Sequence, residues 1–149
     1  KPVIISTGMW TEIEVTNSVK KYNQIKGGND FFILLANSTY PTPYESINLE
    51  FLTKMKQIHN LIGYSGHERG VFVPTAAAAL GARLIEKHIT FDTKQTGPDH
   101  KASMLPEDFK SMVHDLRKIE LALGSTKGVN QAEKLAKNHS SKRLDYSKI

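Results

Sequence analysis

Two histidines lie where two predicted strands end, a placement typical of side chains that could share a metal ion. His67 follows the apolar run Leu61–Tyr64, and His88 closes the run Leu84–His88. Neighbouring parallel strands lie ~4.8 Å apart, so imidazoles at their carboxyl ends can converge on one divalent ion. Two neutral nitrogens leave the other positions of an octahedral ion such as manganese open to water and substrate oxygen. The alternative is that each histidine only hydrogen-bonds its loop backbone.

Hydroxyl and carboxylate side chains occupy loops of the same kind. Ser38 and Ser65 could donate hydrogen bonds to an anion, although lone hydroxyls are also common in turns. The chain contains neither a Walker loop nor a GxGxxG fingerprint. Asp99 lies in the segment Gly97-Pro98-Asp99-His100, where the proline stiffens the loop. Its carboxylate could accept hydrogen bonds from a polyol or carry a proton, and an Asx turn is the alternative.

Four short apolar runs, each followed by a helical pattern, must position these groups. The predicted strands are Val3–Ser6, Phe31–Leu35, Leu61–Tyr64 and Leu84–His88. The predicted helices start at a Thr11/Glu14 capping box, near Asn48, at Pro74 and at Pro106, the last ending at Gly124. Three further histidines, His59 and His114 on predicted helices and His139 in the tail, are predicted to face solvent.

The spacing of the runs indicates a parallel α/β architecture. The strand centres Ile4, Ile33, Ile62 and Ile85 are 29, 29 and 23 residues apart. A period near 30 is typical of a (β/α)₈ barrel, in which ~250 residues form eight units, and a flavodoxin-like open sheet is the alternative. Four units cannot close a barrel, so we expect two unpaired sheet edges and a chain that is part of a longer protein.

Composition limits the remaining function classes. The 149 residues contain no cysteine, which excludes disulfides, iron–sulfur clusters, cysteine-ligated zinc and a thiol nucleophile, and fits a reducing cytosol. No apolar run approaches the ~20 residues of a membrane helix, and no signal peptide precedes the first strand. Six Lys or Arg against two acids follow from Lys127 onward, so most of the net charge of +5 lies in a tail typical of a solvated linker rather than a nucleic-acid patch. We therefore expect a cytoplasmic protein that binds neither membrane nor nucleic acid.

Five blocks together resemble one enzyme family. The chain resembles the N-acetylneuraminate (sialic acid) synthases and the related nonulosonic acid synthases. The blocks that match them in order and spacing are Lys1–Met9, Tyr40–Glu45 with Asn48-Leu49, Gly63–His67, Glu86–Thr90 and Gly97–His100. The resemblance implies that residues 1–124 form strands five to eight, the second half of a (β/α)₈ TIM barrel. Residues 125–149 would then be a basic linker toward an antifreeze-like domain that this chain does not contain.

The same resemblance implies a reaction and a set of site residues. The family condenses phosphoenolpyruvate with an open-chain aldose of the N-acetylmannosamine type and releases phosphate. The positions that match its manganese ligands are His67 and His88, with magnesium or cobalt as alternative ions. Ser38 and Ser65 match positions that contact phosphoenolpyruvate, and Tyr40 and Asp99 match positions that hold the amino sugar, so the expected catalytic residues are Asp99, His67 and His88. The full-length protein is expected to be a domain-swapped homodimer.

The chain also departs from the family pattern. Many relatives have Asp at the position of Gly66 and a His-Cys pair at Leu35-Ala36, and some have Asn at the position of Ser38. The family's phosphate-binding lysines and a catalytic glutamate come from the first half of the barrel, and an arginine comes from a partner's antifreeze-like domain. We therefore expect the isolated chain to be inactive. Legionaminic acid synthesis and a non-catalytic sugar-binding half-barrel remain the alternatives to sialic acid synthesis.

Overall fold

One parallel sheet forms the centre of the structure, a computed structural model that describes residues 2–26, 31–125, 128 and 130–139. Its strands are β1 (Val3–Ser6), β2 (Phe31–Ala36), β3 (Ile62–Gly66) and β4 (Leu84–Lys87). They are adjacent in chain order, and all three pairings are parallel. This sequential order is that of a (β/α)₈ barrel, whereas a flavodoxin-like sheet has the order 2-1-3 at its start. The barrel prediction is therefore confirmed for these four strands.

Helices connect the strands and cover one face of the sheet. They are α1 (Glu12–Lys26), α2 (Phe51–Ile58), α3 (Phe72–Ala79) and α4 (Pro106–Leu123), with two short 3₁₀ turns at Tyr44–Ser46 and Asp99–Lys101. A further helix, α5 (Gln131–His139), follows α4, and its side chains at 131–136 are exposed. Because side chains alternate along a strand, every second residue of the sheet faces this helical layer. The core between sheet and helices includes Val15, Val19, Phe31, Ile33, Leu52, Met55, Ile62 and Tyr64.

The first helix begins as its sequence predicts. The Thr11 amide and hydroxyl both donate to the Glu14 carboxylate, at 2.7 and 2.8 Å, and the Glu14 amide donates back to the Thr11 hydroxyl at 3.3 Å. The hydrogen bonds from Thr11 lower the pKa of Glu14, because they favour the charged carboxylate. This reciprocal pair satisfies amides that the first turn leaves without a helical partner.

Several predicted boundaries were wrong for local reasons. The second helix starts at Phe51 rather than near Asn48, because Asn48 has a positive φ of 54° that an α-helix does not allow. The third starts at Phe72, so Pro74 lies within its first turn, where a missing amide hydrogen costs nothing. His88 lies just beyond the end of β4.

The prediction that His59 faces solvent was also wrong. The side chain is buried, its ring stacks on Phe31 with centroids 4.2 Å apart, and Nε2 lies 2.8 Å from the Phe31 carbonyl oxygen. His59 thus follows the last turn of α2, and its ring forms a hydrogen bond with the backbone at the amino end of β2. His114 is exposed on α4, as predicted.

The segment predicted to be a basic linker contains a helix in its described part. Asn130 directly precedes helix α5, and its side chain accepts from the Glu133 amide at 2.9 Å while the Asn130 amide donates to the Glu133 carboxylate at 3.0 Å. The side chain of His139 and the basic residues Lys142, Arg143 and Lys148 lie outside the described residues. Among the helices of the described ranges, none has the length and apolar character needed to cross a membrane.

The open edges of the sheet generate a prediction about the isolated 149-residue chain. Within the part of the chain that the structure describes, strands β1 and β4 each pair on one side only, and Ile4 on β1 is 53% exposed. Unpaired edges are templates for strand pairing between molecules, so we expect the isolated chain to associate in solution. Light scattering coupled to size-exclusion chromatography measures this directly. Ile4→Lys should shift the distribution toward monomer because a charged edge opposes pairing, and a wild-type chain that is entirely monomeric would contradict the expectation.

Candidate functional site

Three rings meet at the carboxyl end of the sheet. The centroids of His67 and His88 are 5.3 Å apart and the two rings are nearly perpendicular, at 88°. Tyr40 stacks on His67 with centroids 4.1 Å apart and meets the edge of His88 at 5.6 Å. The structure brings the two imidazoles together, while their sharing of one metal ion stays a prediction. Tyr40 joins them although it lies 27 residues before His67 in the chain.

A backbone hydrogen bond sets the tautomer of His67. Its Nδ1 lies 2.6 Å from the backbone carbonyl oxygen of Asn37, and a carbonyl can only accept, so we assign the hydrogen to Nδ1. Nε2 then carries a free lone pair, which is the form of imidazole that binds a metal. The backbone interaction foreseen as the alternative to metal binding thus prepares the other ring nitrogen as a ligand.

The loops that carry these rings are tied to one another. The Thr42 amide donates to the His67 carbonyl at 3.1 Å, and the Tyr44 hydroxyl donates to the Arg69 carbonyl at 3.1 Å. Arg69 Nε in turn donates to the carbonyl of Lys101 in the loop after β4, at 3.1 Å. The loops after β2, β3 and β4 therefore form one connected network around the ring cluster.

Ser65 and Ser38 occupy different parts of this end of the sheet. Ser65 is buried at the end of β3, and its hydroxyl donates to Oε1 of Glu86 on β4 at 3.0 Å. Ser38 is exposed and lies beside Gly8 of the loop after β1, so closely that a Cβ at residue 8 would collide with the Ser38 hydroxyl. The structure thus places Ser65 on the side of the histidines and Ser38 on the side of β1.

Asp99 begins the 3₁₀ turn in the loop after β4 and its side chain is exposed. Its backbone carbonyl accepts from the Ala102 amide at 3.0 Å and from the Ser103 hydroxyl at 2.8 Å. Partial burial, and then the negative charges of Asp99 and Glu86, raise the pKa of Tyr40. The Tyr40 hydroxyl therefore stays protonated and can donate a hydrogen bond.

The donor set suits an open metal site rather than a closed structural one. Within residues 2–26, 31–125, 128 and 130–139, no group of three or more His, Cys, Asp or Glu side chains could hold a metal ion. The two imidazoles have ring centroids 5.3 Å apart, and the Asn37 carbonyl fixes the tautomer of one of them. Two nitrogen donors with the remaining positions open fit an ion that also binds water and a substrate oxygen.

Sequence reasoning missed a buried polar cluster directly behind the histidines. The side chains of Glu68 and Lys87 are both 0% exposed, and Lys87 Nζ lies 3.0 Å from Glu68 Oε1. The Tyr64 hydroxyl donates to Glu68 Oε2 at 2.6 Å. Burial lowers the pKa of Lys87, and burial together with Glu68 raises the pKa of Tyr64. The sequence did contain a sign of this cluster. Lys87 lies inside an apolar run predicted to be buried, and a buried charge needs a partner.

Comparison with known proteins agrees with this geometry. The NeuB family model matches residues 1–128. The N,N'-diacetyllegionaminic acid synthase of Campylobacter jejuni is 40% identical over 90% of this chain and 40% of its own length. The pseudaminic acid synthase of the same species is 38% identical over 99% of this chain and 43% of its own length.

The fold has a counterpart among solved structures. The crystal structure of N-acetylneuraminic acid synthetase from Leptospira borgpetersenii, in complex with citrate, superposes with a TM-score of 0.79 at 31% identity. The match covers 93% of this chain and 48% of that one, and the chain spans less than half the length of each of the three relatives. With four parallel βα units and a family match over residues 1–128, the chain belongs to the NeuB family and forms half of its barrel.

Proposed function

We propose that the full-length protein containing this chain is a nonulosonic acid synthase. It condenses phosphoenolpyruvate with N-acetylmannosamine or a related 2-acetamido aldose, giving a sialic acid-type product and phosphate. The observation that supports this most directly is the cluster of His67, His88 and Tyr40 at the carboxyl end of a NeuB-family half-barrel. In barrel enzymes this end carries the active site.

The two histidines would hold a divalent cation, with manganese preferred. When bound, such an ion supplies Lewis acidity that polarises the aldehyde oxygen of the sugar. The Asn37 carbonyl keeps His67 in the tautomer whose Nε2 can ligate. Tyr40 packs against both rings, so it limits their movement and shields them from water on one side.

Other side chains would bind the two substrates. Ser38 would donate a hydrogen bond to phosphoenolpyruvate. Ser65 would do the same once its hydroxyl, which donates to Glu86 in the structure, rotates toward the substrate. Tyr40, whose hydroxyl remains protonated, donates to the amino sugar, and the exposed carboxylate of Asp99 accepts hydrogen bonds from sugar hydroxyls. In the reaction, carbon three of phosphoenolpyruvate bonds to the aldehyde carbon and water adds to carbon two. The bond from carbon two to the phosphate oxygen then breaks.

The choice of sugar defines a second candidate. The Gly97-Pro98-Asp99-His100 segment resembles that of synthases acting on N-acetylmannosamine or its diacetamido analogue, and we favour sialic acid over legionaminic acid. The 40% identity to a diacetyllegionaminic acid synthase supports the second candidate. We further propose a homodimer for the full-length protein. The isolated half-barrel is proposed to be inactive, because half of the family's site residues come from other segments.

The metal proposal predicts the effect of removing either ring. In the full-length protein, His67→Ala and His88→Ala should each weaken Mn²⁺ binding by more than about 10-fold, because each removes one of two nitrogen donors. Electron paramagnetic resonance of free Mn²⁺ during titration measures the affinity without substrate. His114→Ala, which changes an exposed histidine on α4, is the matched control and should bind like wild type. Unaltered affinity in both site variants, or full activity of the double variant in chelator, would end the proposal.

The substrate proposal is tested by phosphate release. The full-length protein is assayed with phosphoenolpyruvate and Mn²⁺ on N-acetylmannosamine, its 6-phosphate and the 2,4-diacetamido-6-deoxy sugar. We expect the highest kcat/KM with N-acetylmannosamine. A kcat/KM tenfold higher for the diacetamido sugar, about 1.4 kcal/mol in transition-state binding, would identify a legionaminic acid synthase instead. Release with none of the three sugars would favour a non-catalytic sugar-binding module.

A further inference from the structure

The buried charges of Glu68 and Lys87 need an explanation beyond stability. Both side chains are fully buried, and every group in the cluster has a partner. Lys87 Nζ contacts Oε1 and the backbone carbonyl of Glu68, and the Tyr64 hydroxyl occupies Oε2. A buried ion pair adds little stability over an apolar pair of similar volume, because desolvation offsets the attraction. What such a pair does supply is a fixed geometry between two chain segments.

The two segments fixed in this way are those that carry the histidines. Glu68 directly follows His67, and Lys87 directly precedes His88. The ladder between β3 and β4 ends at the pair of Gly66 and Lys87, so the Glu68 to Lys87 contacts are the next connection toward the carboxyl end. Because successive side chains alternate, the charged pair lies on the helix-covered side while the rings meet on the opposite side.

The cluster also depends on a glycine. A Cβ at Gly66 would lie 2.8 and 2.9 Å from the two Glu68 carboxylate oxygens and 2.7 Å from Cε1 of Tyr64. Real Cβ atoms do not approach so closely, so the carboxylate occupies the space that a side chain at residue 66 would need. The Glu68 carboxylate is therefore enclosed by Lys87, by Tyr64 and by the backbone at Gly66.

His88 depends on this arrangement more than His67 does. The ring of His67 is held by the Asn37 carbonyl and by stacking on Tyr40. The ring of His88 has edge contacts with Tyr40 and His67, and its backbone carbonyl accepts from the Met104 amide at 2.9 Å. Lys87 thus anchors the chain on the β4 side of His88, while the bridge to Met104 holds the chain that follows it.

We infer that Tyr64, Glu68 and Lys87 form a clamp that sets the separation of His67 and His88, with Glu68 and Lys87 as positioning residues for the divalent cation. This inference rests on the proposed function, because it assigns the clamp to the metal centre proposed above. Tyr64 is buried and the side chains of Glu68 and Lys87 are 0% exposed, so the clamp is proposed to act without touching substrate or ion. The clamp acts through the backbone of residues 67–68 and 87–88.

The test is Mn²⁺ affinity in the full-length protein without substrate, measured by electron paramagnetic resonance. The double variant Glu68→Gln/Lys87→Met removes both charges and keeps the volume, so neither charge is left buried alone. We expect its melting temperature to stay within a few degrees of wild type while Mn²⁺ binds at least tenfold more weakly. A purely structural pair would leave the affinity of a folded variant unchanged, and an affinity within twofold of wild type would overturn the inference.

Two further variants complete the design. Glu12→Gln/Lys54→Met makes the same chemical change in an exposed ion pair with a 2.9 Å separation between α1 and α2, and it should bind Mn²⁺ like wild type. Tyr64→Phe removes one hydroxyl from the clamp and keeps the ring in the core, so it decides the question if the double variant does not fold. We expect it to weaken Mn²⁺ binding at least threefold, and unchanged affinity in this variant would also overturn the clamp.

The outcomes separate the two proposals. If wild type binds Mn²⁺ and loses it on His67→Ala, yet the clamp variants bind normally, the metal centre stands and the clamp is wrong. If wild type binds no Mn²⁺, the proposed metal centre fails and the clamp fails with it.

Discussion

Alternation of side chains across the parallel sheet is the constraint on which the rest of the structure depends. Every second residue of β3 and β4 packs against helices, and the residues between them face the side that would become the barrel interior. At the carboxyl end this alternation places a charged pair of side chains and a pair of imidazoles on opposite sides of the sheet. Glu68 and Lys87 are buried on the helix side, while His67 and His88 meet on the other. A shift of one residue in register would exchange them, placing the charges in the site and the rings in the core.

The connected loops explain how an exposed end of a sheet can hold side chains at fixed positions. Asn37, Thr42 and Tyr44 link the loop after β2 to the loop after β3 through three hydrogen bonds, each of which involves a backbone carbonyl. A loop alone would leave His67 with several rotamers, and binding a ligand would then cost conformational entropy. In this structure groups of the protein itself hold the ring and the backbone of His67, which is the arrangement that an effective site requires.

The strands and the general place of the site could be predicted from the sequence, because both follow from local patterns. Apolar runs mark the strands, and the polar residues that follow them lie at one edge once the strands are parallel. The convergence of His67 and His88 followed from that reasoning, whereas the clamp behind them did not. Glu68 lies beyond the apolar run, and its pairing with Lys87, 19 residues away, depends on the register of β3 and β4. The burial of His59 was missed for a similar reason, since its partner, the Phe31 carbonyl, is 28 residues distant.

The two faces of the sheet differ in how far residues of this chain cover them. The helix side is finished within this chain: the clamp has all its hydrogen-bond partners, and the core residues around Tyr64 are buried. The opposite side is open, with Ile4 53% exposed and Glu86 exposed beside Ser65. In a closed barrel these inward residues pack in layers against residues from the facing strands. The contacts described for the two histidines all come from residues of this half of the barrel, whereas its inward face is the one that facing strands cover in a closed barrel.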